Sequence, residues 1–266
     1  MEVTRGTVVS ADGTAIGYSR FGEGDPVVVC HGALTVADDW AAFARELGAT
    51  NSVYLYDRRG RGRSPDVGDG YSFATEIDDL AAMTAFAGPE AAILGHSFGG
   101  GCALAYALRD GFSRRLVLYE PINSIPRPAS GGHLFDLRAR VERNELDAAL
   151  DFGLDKIVCL SGPEIQMLRQ TPLWAPMTRL TPSFVRELEC LDRLSPTVEE
   201  MGALRARTWL LLGTLSPHAP NMACCAALVD RVRGLTLYPV PDQGHVAHLL
   251  APELLSRLVV RCLRDD

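Results

Sequence analysis

Short runs of β-branched and aromatic residues alternate along the chain with longer stretches rich in alanine and leucine. The short runs have the length and composition of buried strands, and the longer ones have the apolar spacing of helices. This alternation predicts an α/β protein, with a mostly parallel twisted sheet that carries helices on both faces. The predicted strands are "PVVVC", "SVYLYD", "EAAILGH", "RRLVLYE", "RTWLLLG" and "LTLYPV".

Two regions depart from this rhythm. At the start, "GTVVSADG" and "TAIGYSRFG" are separated by Asp12-Gly13, which predicts an antiparallel hairpin leading into the sheet. Between residues 123 and 206 the pattern is purely helical and punctuated by proline, which predicts an inserted helical lid. We therefore expect an α/β core made of residues 1–122 and 207–266, interrupted by a cap of residues 123–206.

Composition and charge narrow the class of protein. A chain of 266 residues that is 47% hydrophobic can bury a large core, and its net charge of −7 argues against a nucleic-acid partner. The N-terminus lacks a signal-peptide pattern, and no apolar run approaches the roughly 20 residues that cross a bilayer. We expect a cytoplasmic protein without a membrane partner. The seven cysteines lack metal-type spacing and are interpreted as reduced and mostly buried.

The motif "GHSFGG" carries the most specific chemical signal, because its Ser97 lies between a predicted strand and a predicted helix. A serine on such a sharp turn is a candidate nucleophile, and glycine at positions 95 and 99 avoids collisions there. The helix N-terminus favours developing negative charge. We therefore expect the Phe98 N–H to donate to an oxyanion.

With "CHGAL", "YDRRGRGRS" and "PDQGHVAH" placed around that motif, the chain resembles the α/β-hydrolase fold family, specifically its lid-bearing bacterial members. The resemblance covers nearly the whole chain. It implies that the backbone N–H of Ala33 completes the oxyanion hole, with Leu34 as a possible substitute. It also implies that His31 is structural and bonds within its loop.

The resemblance assigns the general base to His245, in the loop before the last helix. His248 is the alternative, although a second histidine at this spacing more commonly packs or caps locally. The carboxylate that would orient the imidazole is harder to identify. The remaining histidines are weaker candidates for the base: His96 in the motif, His133 in the lid and His218 in a loop.

In the family the acid usually follows the strand "TWLLLG" by three residues beyond the glycine, and here that position is Ser216. The sequence offers Glu120 instead, at the end of the strand after the nucleophile helix, where some family members carry their acid. A glutamate at a strand end can also form a structural salt bridge or orient the lid. Asp242 is a weaker alternative because it is only three residues from His245.

The arginines of "YDRRGRGRS" are expected to be structural, pairing with Asp57 and other acids to hold the loop. The alternative is an anion site, for which Arg58, Arg59 and Arg61 would be the candidates.

The lid is rich in bulky apolar residues, and we expect Leu34, Trp174 and Met177 to line a substrate pocket. The leading hypothesis is a serine hydrolase that needs no cofactor or metal and cleaves an ester, thioester or lactone of a medium-sized apolar substrate. Acyl transfer, cyclisation or carbon–carbon cleavage on the same residues stays open. So does a pseudo-hydrolase that only binds ligands, because Ser216 is not an acid. The sequence does not fix the oligomeric state.

Overall fold

A computed structural model describes residues 2–124, 127–193, 198–216 and 221–265. Its centre is an eight-stranded sheet with the strand order β1-β2-β4-β3-β5-β6-β7-β8. The strands are β1 (Val3–Val9), β2 (Ala15–Phe21), β3 (Asp25–Cys30), β4 (Asn51–Tyr56), β5 (Ala92–His96), β6 (Arg115–Tyr119), β7 (Arg207–Gly213) and β8 (Thr236–Val240).

The sheet is mostly parallel, as the alternation of elements predicts. Strands β1 and β2 form the predicted antiparallel hairpin, and β2 is also antiparallel to β4. All pairs from β4 through β8 are parallel. Because parallel strands end at the same edge, the residues that follow β3, β5, β6, β7 and β8 converge there.

The helices match the predicted stretches closely. They are α1 (Ala41–Leu47), α2 (Phe73–Ala87), α3 (Phe98–Arg109), α4 (Leu134–Glu142), α5 (Leu146–Lys156), α6 (Gly162–Arg169), α7 (Trp174–Arg193), α8 (Val198–Gly202), α9 (Asn221–Arg231), α10 (Ala247–Leu250) and α11 (Pro252–Arg264). A 3₁₀ turn, Ala37–Trp40, directly precedes α1. The Asp39 carboxylate accepts the Val36 N–H at 2.9 Å, which tightens that first turn.

Two apolar layers cover the sheet, one on each face. Along β3 the side chains alternate between them, with Val27 and Val29 in the layer under α1 and α11, and Val28 and Cys30 in the layer under α2 and α3. This period of two is why a nearly continuous apolar run makes a strand that is buried on both sides. Within the described ranges, no helix combines the length and apolar character needed to cross a bilayer.

Helices α4 to α7 are inserted between β6 and β7, as the proline-punctuated region predicts. Apolar residues of these helices belong to the same buried layer as α2 and α3, so the insertion packs on one face of the core. The domain boundaries at residues 123 and 206 stay a prediction. They lie between the end of β6 at Tyr119 and the start of β7 at Arg207. All seven cysteines are free thiols, five of them buried.

Candidate active site

Ser97 occupies the sharp turn between β5 and α3. Its backbone lies at φ 52° and ψ −121°, in the left-handed half of conformational space that non-glycine residues rarely adopt. The turn is held by the Ser97 N–H, which donates to the Tyr119 carbonyl at 3.1 Å. A Cβ on Gly95 would lie 2.8 Å from the Ala103 Cβ, and one on Gly99 would collide with the Cys30 carbonyl. These glycines therefore let the helix approach the sheet closely, as the motif predicts.

A histidine and a glutamate meet beside this turn. The Nδ1 atom of His245 lies 2.7 Å from Oε2 of Glu120, the first residue after β6. The Glu120 side chain is fully buried, and its other carboxylate oxygen accepts the Gly213 N–H at 2.8 Å. The Ser216 hydroxyl also hydrogen-bonds to Glu120. Ser216 thus occupies the position where the resemblance places an acid, and it hydrogen-bonds to the carboxylate at the end of the neighbouring strand.

These contacts determine the charge of Glu120. Burial alone would raise the pKa of its carboxyl, but the hydrogen bond and charge of His245, the Gly213 N–H and the Ser216 hydroxyl lower the pKa below its ordinary value. A carboxylate that accepts the Nδ1–H of an imidazole leaves the other ring nitrogen, Nε2, free to act as a base. Glu120 also has φ 42°, a second strained strand end beside that of Ser97.

Residues adjacent to Ser97 and Glu120 hold the His245 loop. The Tyr119 hydroxyl donates to the Gly244 carbonyl and accepts the Ala247 N–H at 3.0 Å. The His96 Nε2–H donates to the His245 carbonyl at 2.9 Å. Sequence reasoning missed Tyr119, although its place at the end of β6, directly before Glu120, is a signal that could have found it.

The competing candidates make other contacts, and one of them, His248, lies beside the site. His248 is buried, and its ring stacks on Trp40 with centroids 4.1 Å apart. Burial and the nearby His245 lower its pKa to about 3, so it is neutral at physiological pH and packs locally as expected. Asp242 is exposed, with its N–H bonded to the Thr214 hydroxyl oxygen. His133 contacts Phe152 in the lid. His218 lies outside the described residues.

The loop after β3 lies directly beside the serine, since a Cβ on Gly32 would be 3.0 Å from the Ser97 Cβ. His31 is buried and bonds within this loop, as the resemblance implies. Its Nε2 accepts the Arg58 N–H at 3.3 Å, so the ring proton lies on Nδ1, which donates to the Gly32 carbonyl at 2.9 Å. Burial, with the charges of Arg58 and Arg61, holds the pKa of His31 well below its ordinary value.

A cavity between the lid and the strand ends brings the candidates together. Ser97, Phe98, Ala33, Leu34 and His245 line its core side. Each lid residue that the structure describes on its wall is apolar: Leu154, Ile157, Val158, Leu160, Leu168, Leu173, Met177, Phe184, Leu188 and Leu191.

Leu34 and Met177 lie on the wall of this cavity, and Trp174 is not among the described residues that line it. Trp174 is buried within the lid. Its indole N–H donates to the Asp147 carboxylate at 2.6 Å, and the Arg169 guanidinium lies 4.1 Å from its ring centroid. A polar partner on a lid helix thus fixes the indole, a contact that its apolar bulk alone does not predict.

The basic run after β4 is an internal ion-pair network. The side chains of Arg58, Arg59 and Arg61 are fully buried. Their partners, which sequence reasoning did not identify, are Glu76 and Asp79 of α2, Asp12 of the hairpin turn and Glu187 of α7. These contacts agree with the structural interpretation of the motif. In the described part of the chain, no group of three or more His, Cys, Asp and Glu residues has the arrangement of a metal site.

Comparisons with known proteins identify the family and the fold of the chain. The profile of a family described as "Alpha/beta hydrolase family" matches residues 27–258. A solved α/β hydrolase from Sphaerobacter thermophilus superposes with a TM-score of 0.84 and 27% identity, covering 97% of this chain and 99% of that one.

Two curated proteins match over a shorter range. A non-heme haloperoxidase from Rhodococcus erythropolis is 38% identical over 111 residues, which are 40% of each chain. A bifunctional esterase/perhydrolase from Acinetobacter calcoaceticus is 38% identical over 111 residues, which are 39% of each chain. The chain thus matches about two fifths of the length of these relatives.

Proposed function

Because this chain belongs to the α/β-hydrolase family, we propose that it is a cofactor-independent serine hydrolase that cleaves an ester, thioester or lactone through an acyl-enzyme. The observation that carries the proposal is the 2.7 Å contact between His245 Nδ1 and Glu120 Oε2, made beside a cavity that Ser97 and His245 both line. This contact supplies the oriented base that a serine nucleophile needs.

The proposed reaction has two halves. The Ser97 hydroxyl attacks the substrate carbonyl while Nε2 of His245 takes its proton, and Glu120 stabilises the imidazolium that forms. The N–H groups of Phe98 and Ala33 donate to the tetrahedral oxyanion. As the intermediate collapses, the imidazolium gives its proton to the leaving oxygen or sulfur. Water then attacks the acyl-enzyme by the same route and releases the acid.

The wall of the cavity supports an apolar acyl group as the substrate class. The lid side offers only aliphatic, aromatic and thioether groups among the residues described there, and polar side chains such as Ser97 and His245 lie on the core side. A ligand with an apolar body and one carbonyl group fits such a site best, since burying further polar groups without partners is costly.

The names of the relatives motivate a second candidate activity, perhydrolysis. In this reaction hydrogen peroxide replaces water in the second half, so the acyl group passes from Ser97 to peroxide and leaves as a peracid. Both activities use the same residues, and a hydrolysis assay repeated with added hydrogen peroxide and a peracid-specific readout separates them.

A fluorophosphonate tests the proposal, because it reacts with activated serines. We expect rapid single labelling at Ser97, located by peptide mapping, and loss of labelling in His245→Ala. Hydrolysis of p-nitrophenyl acyl esters should be present in the labelled wild type and lost together with labelling in His245→Ala. A folded protein that binds apolar ligands but is not labelled would contradict the proposal and favour the pseudo-hydrolase.

A further inference from the structure

The carbonyl of Gly32 is the most heavily bonded group of the loop beside Ser97. It accepts hydrogen bonds from Nδ1 of His31 at 2.9 Å, from the Thr35 hydroxyl at 3.1 Å and from Nη1 of Arg58 at 3.2 Å. One carbonyl oxygen has two lone pairs, so three donors saturate it. Such a carbonyl has a fixed direction.

That direction also fixes the next N–H. The Gly32 carbonyl and the Ala33 N–H belong to one planar trans peptide group, in which the two bonds point in opposite directions. Holding the carbonyl against the buried Arg58 therefore turns the Ala33 N–H away from that network. A hydrogen bond from a charged donor also polarises the peptide, which makes its N–H a stronger donor.

The orientation of Arg58 in turn depends on two carboxylates. Glu76 of α2 accepts from Nε at 3.0 Å and from Nη2 at 2.8 Å, and Glu187 of α7 accepts from Nη2 at 2.8 Å. Glu187 also pairs with Arg61, whose Nη1 reaches the Thr35 carbonyl at 3.4 Å. Two buried cations and two buried anions thus form a neutral group in which one anion belongs to the lid.

Electrostatics keep Arg58 charged. Burial alone would lower the pKa of Arg58, but Glu187 and Glu76 raise it well above its ordinary value. Glu187 lies 129 residues from Arg58 in the chain, so only the seated lid helix brings them together. Withdrawing the Glu187 carboxylate would leave two buried guanidinium groups with Glu76 as the only anion of the group, an arrangement that low polarity disfavours strongly.

We propose that Arg58 and Glu187 are positioning residues of the oxyanion hole: they hold the Gly32–Ala33 peptide so that its N–H faces the reacting carbonyl, and only when α7 is seated. The inference rests on the proposed function. It assigns to the basic motif and the lid a role in catalysis, although neither residue touches the substrate. The lid then controls acyl transfer as well as access to the cavity.

The chain offers a matched control. Arg59 is the next residue, equally buried, and it forms a bidentate pair with Asp79 at 2.6 and 2.7 Å. Its partners, Asp79 and Asp12, lie outside the Gly32 loop. We would compare Arg58→Lys and Glu187→Gln with Arg59→Lys and Asp79→Asn. All four variants disturb a buried ion pair, so all four should lower the melting temperature.

The readouts are kcat and KM for p-nitrophenyl butyrate and the inhibition constant of phenylboronic acid. In the boronic acid complex the Ser97 oxygen adds to boron, its proton moves to His245, and a boronate oxygen occupies the oxyanion hole. We expect kcat to fall about tenfold to a hundredfold in Arg58→Lys and Glu187→Gln, somewhat less than the loss of a whole oxyanion donor. KM should change little, and inhibition should weaken in parallel with kcat.

The control variants Arg59→Lys and Asp79→Asn should keep the wild-type kcat, calculated per folded molecule. Unchanged kcat in Arg58→Lys and Glu187→Gln, or an equal loss in the controls, would overturn the inference. Thr35→Val keeps the test decisive where a change of buried charge prevents folding. Thr35 is only partly buried and valine is nearly isosteric, so the variant removes one donor to Gly32 and should give a smaller loss of kcat. An unchanged kcat in this variant would also count against the inference.

The wild-type protein separates this inference from the function on which it rests. A wild-type chain that is neither labelled by the fluorophosphonate nor active would contradict both. An active, labelled wild type with unaffected Arg58 and Glu187 variants would contradict the positioning role alone.

Discussion

The ends of β6 and β7 lie side by side in the sheet, and they differ in which one carries a carboxylate. After β6 comes Glu120, whose backbone N–H still bonds to Leu211 of β7 at 3.1 Å. After β7 comes the turn with Ser216, which hydrogen-bonds to the Glu120 carboxylate. Residues that follow either strand can therefore contact the His245 loop, because neighbouring parallel strands end at the same edge of the sheet.

The two ends also differ in backbone strain and burial. Glu120 adopts a positive φ, and its side chain is fully buried. Its carboxylate oxygen Oε1 accepts the N–H of Gly213 in β7. A Cβ on Gly213 would lie 2.8 Å from that same oxygen, so a larger residue would displace the glutamate. The β7 end therefore supplies space and donors, and the β6 end supplies the charge.

The largest expected effect comes from removing the charge at the β6 end. Glu120→Gln keeps the size of the side chain but offers no negative charge to the imidazole and favours the wrong tautomer. If Glu120 has the proposed role, we expect kcat for an acyl ester to fall by about 10³ to 10⁴, as it does when the acid of a known catalytic triad is replaced. Steady-state and single-turnover kinetics measure it, with circular dichroism as the folding control. A rate close to that of the wild type would mean that another group orients His245.

Moving the charge to the β7 end should reverse part of that loss. In the Glu120→Gln background, Ser216→Asp places a carboxylate where the family usually has one, and we expect recovery of about tenfold to a hundredfold in kcat. Ser216→Asn in the same background is the matched control, since it has the same size without the charge. Equal recovery by asparagine would show that packing, and not charge, limits the variant.

The acid sensitivity of folding should also follow the β6 end. The folded-state pKa of Glu120 lies below its unfolded value of 4.5, so its carboxylate stabilises the fold above that pH. This contribution is lost as the pH falls below 4.5 and through the lower folded-state pKa. Glu120→Gln should lack this part of the acid-induced loss in the free energy of unfolding, measured with urea at successive pH values. Parallel curves for the two proteins would contradict the lowered pKa.

The smallest effect is expected from the supporting hydroxyl at the β7 end. Ser216→Ala removes a hydrogen bond to the Glu120 carboxylate, a loss of about 1 kcal/mol or roughly fivefold in rate, and raises the pKa of Glu120 toward its ordinary value. The lower end of the pH range over which Glu120 loses its stabilising effect on the fold should move upward with it, as measured by urea unfolding at successive pH values. Thr214→Val is the control, since its hydroxyl bonds to Asp242 and it is exposed. A pH dependence of unfolding that changes equally in both variants would exclude a specific role for Ser216.

Much of the fold could be predicted because its signals are local. The short apolar run of β3 and the glycines around Ser97 each report what the backbone must do within a few residues. The candidate site was predicted in part by the same means, since Ser97 and His245 lie in recognisable turns. The position of Trp174 could not be predicted, because apolar bulk does not tell whether an indole N–H has found a partner such as Asp147.

The sequence by itself determined the elements, their order and the local geometry of the turn at Ser97, because sterics and apolar periodicity act over a few residues. The contact of Glu120 with His245 across 125 residues of chain, and that of Glu187 of the lid with Arg58 beside the loop after β3, depend on the tertiary structure. Buried charges are stable only beside a partner of opposite charge, and which residues become partners depends on how strands and helices pack.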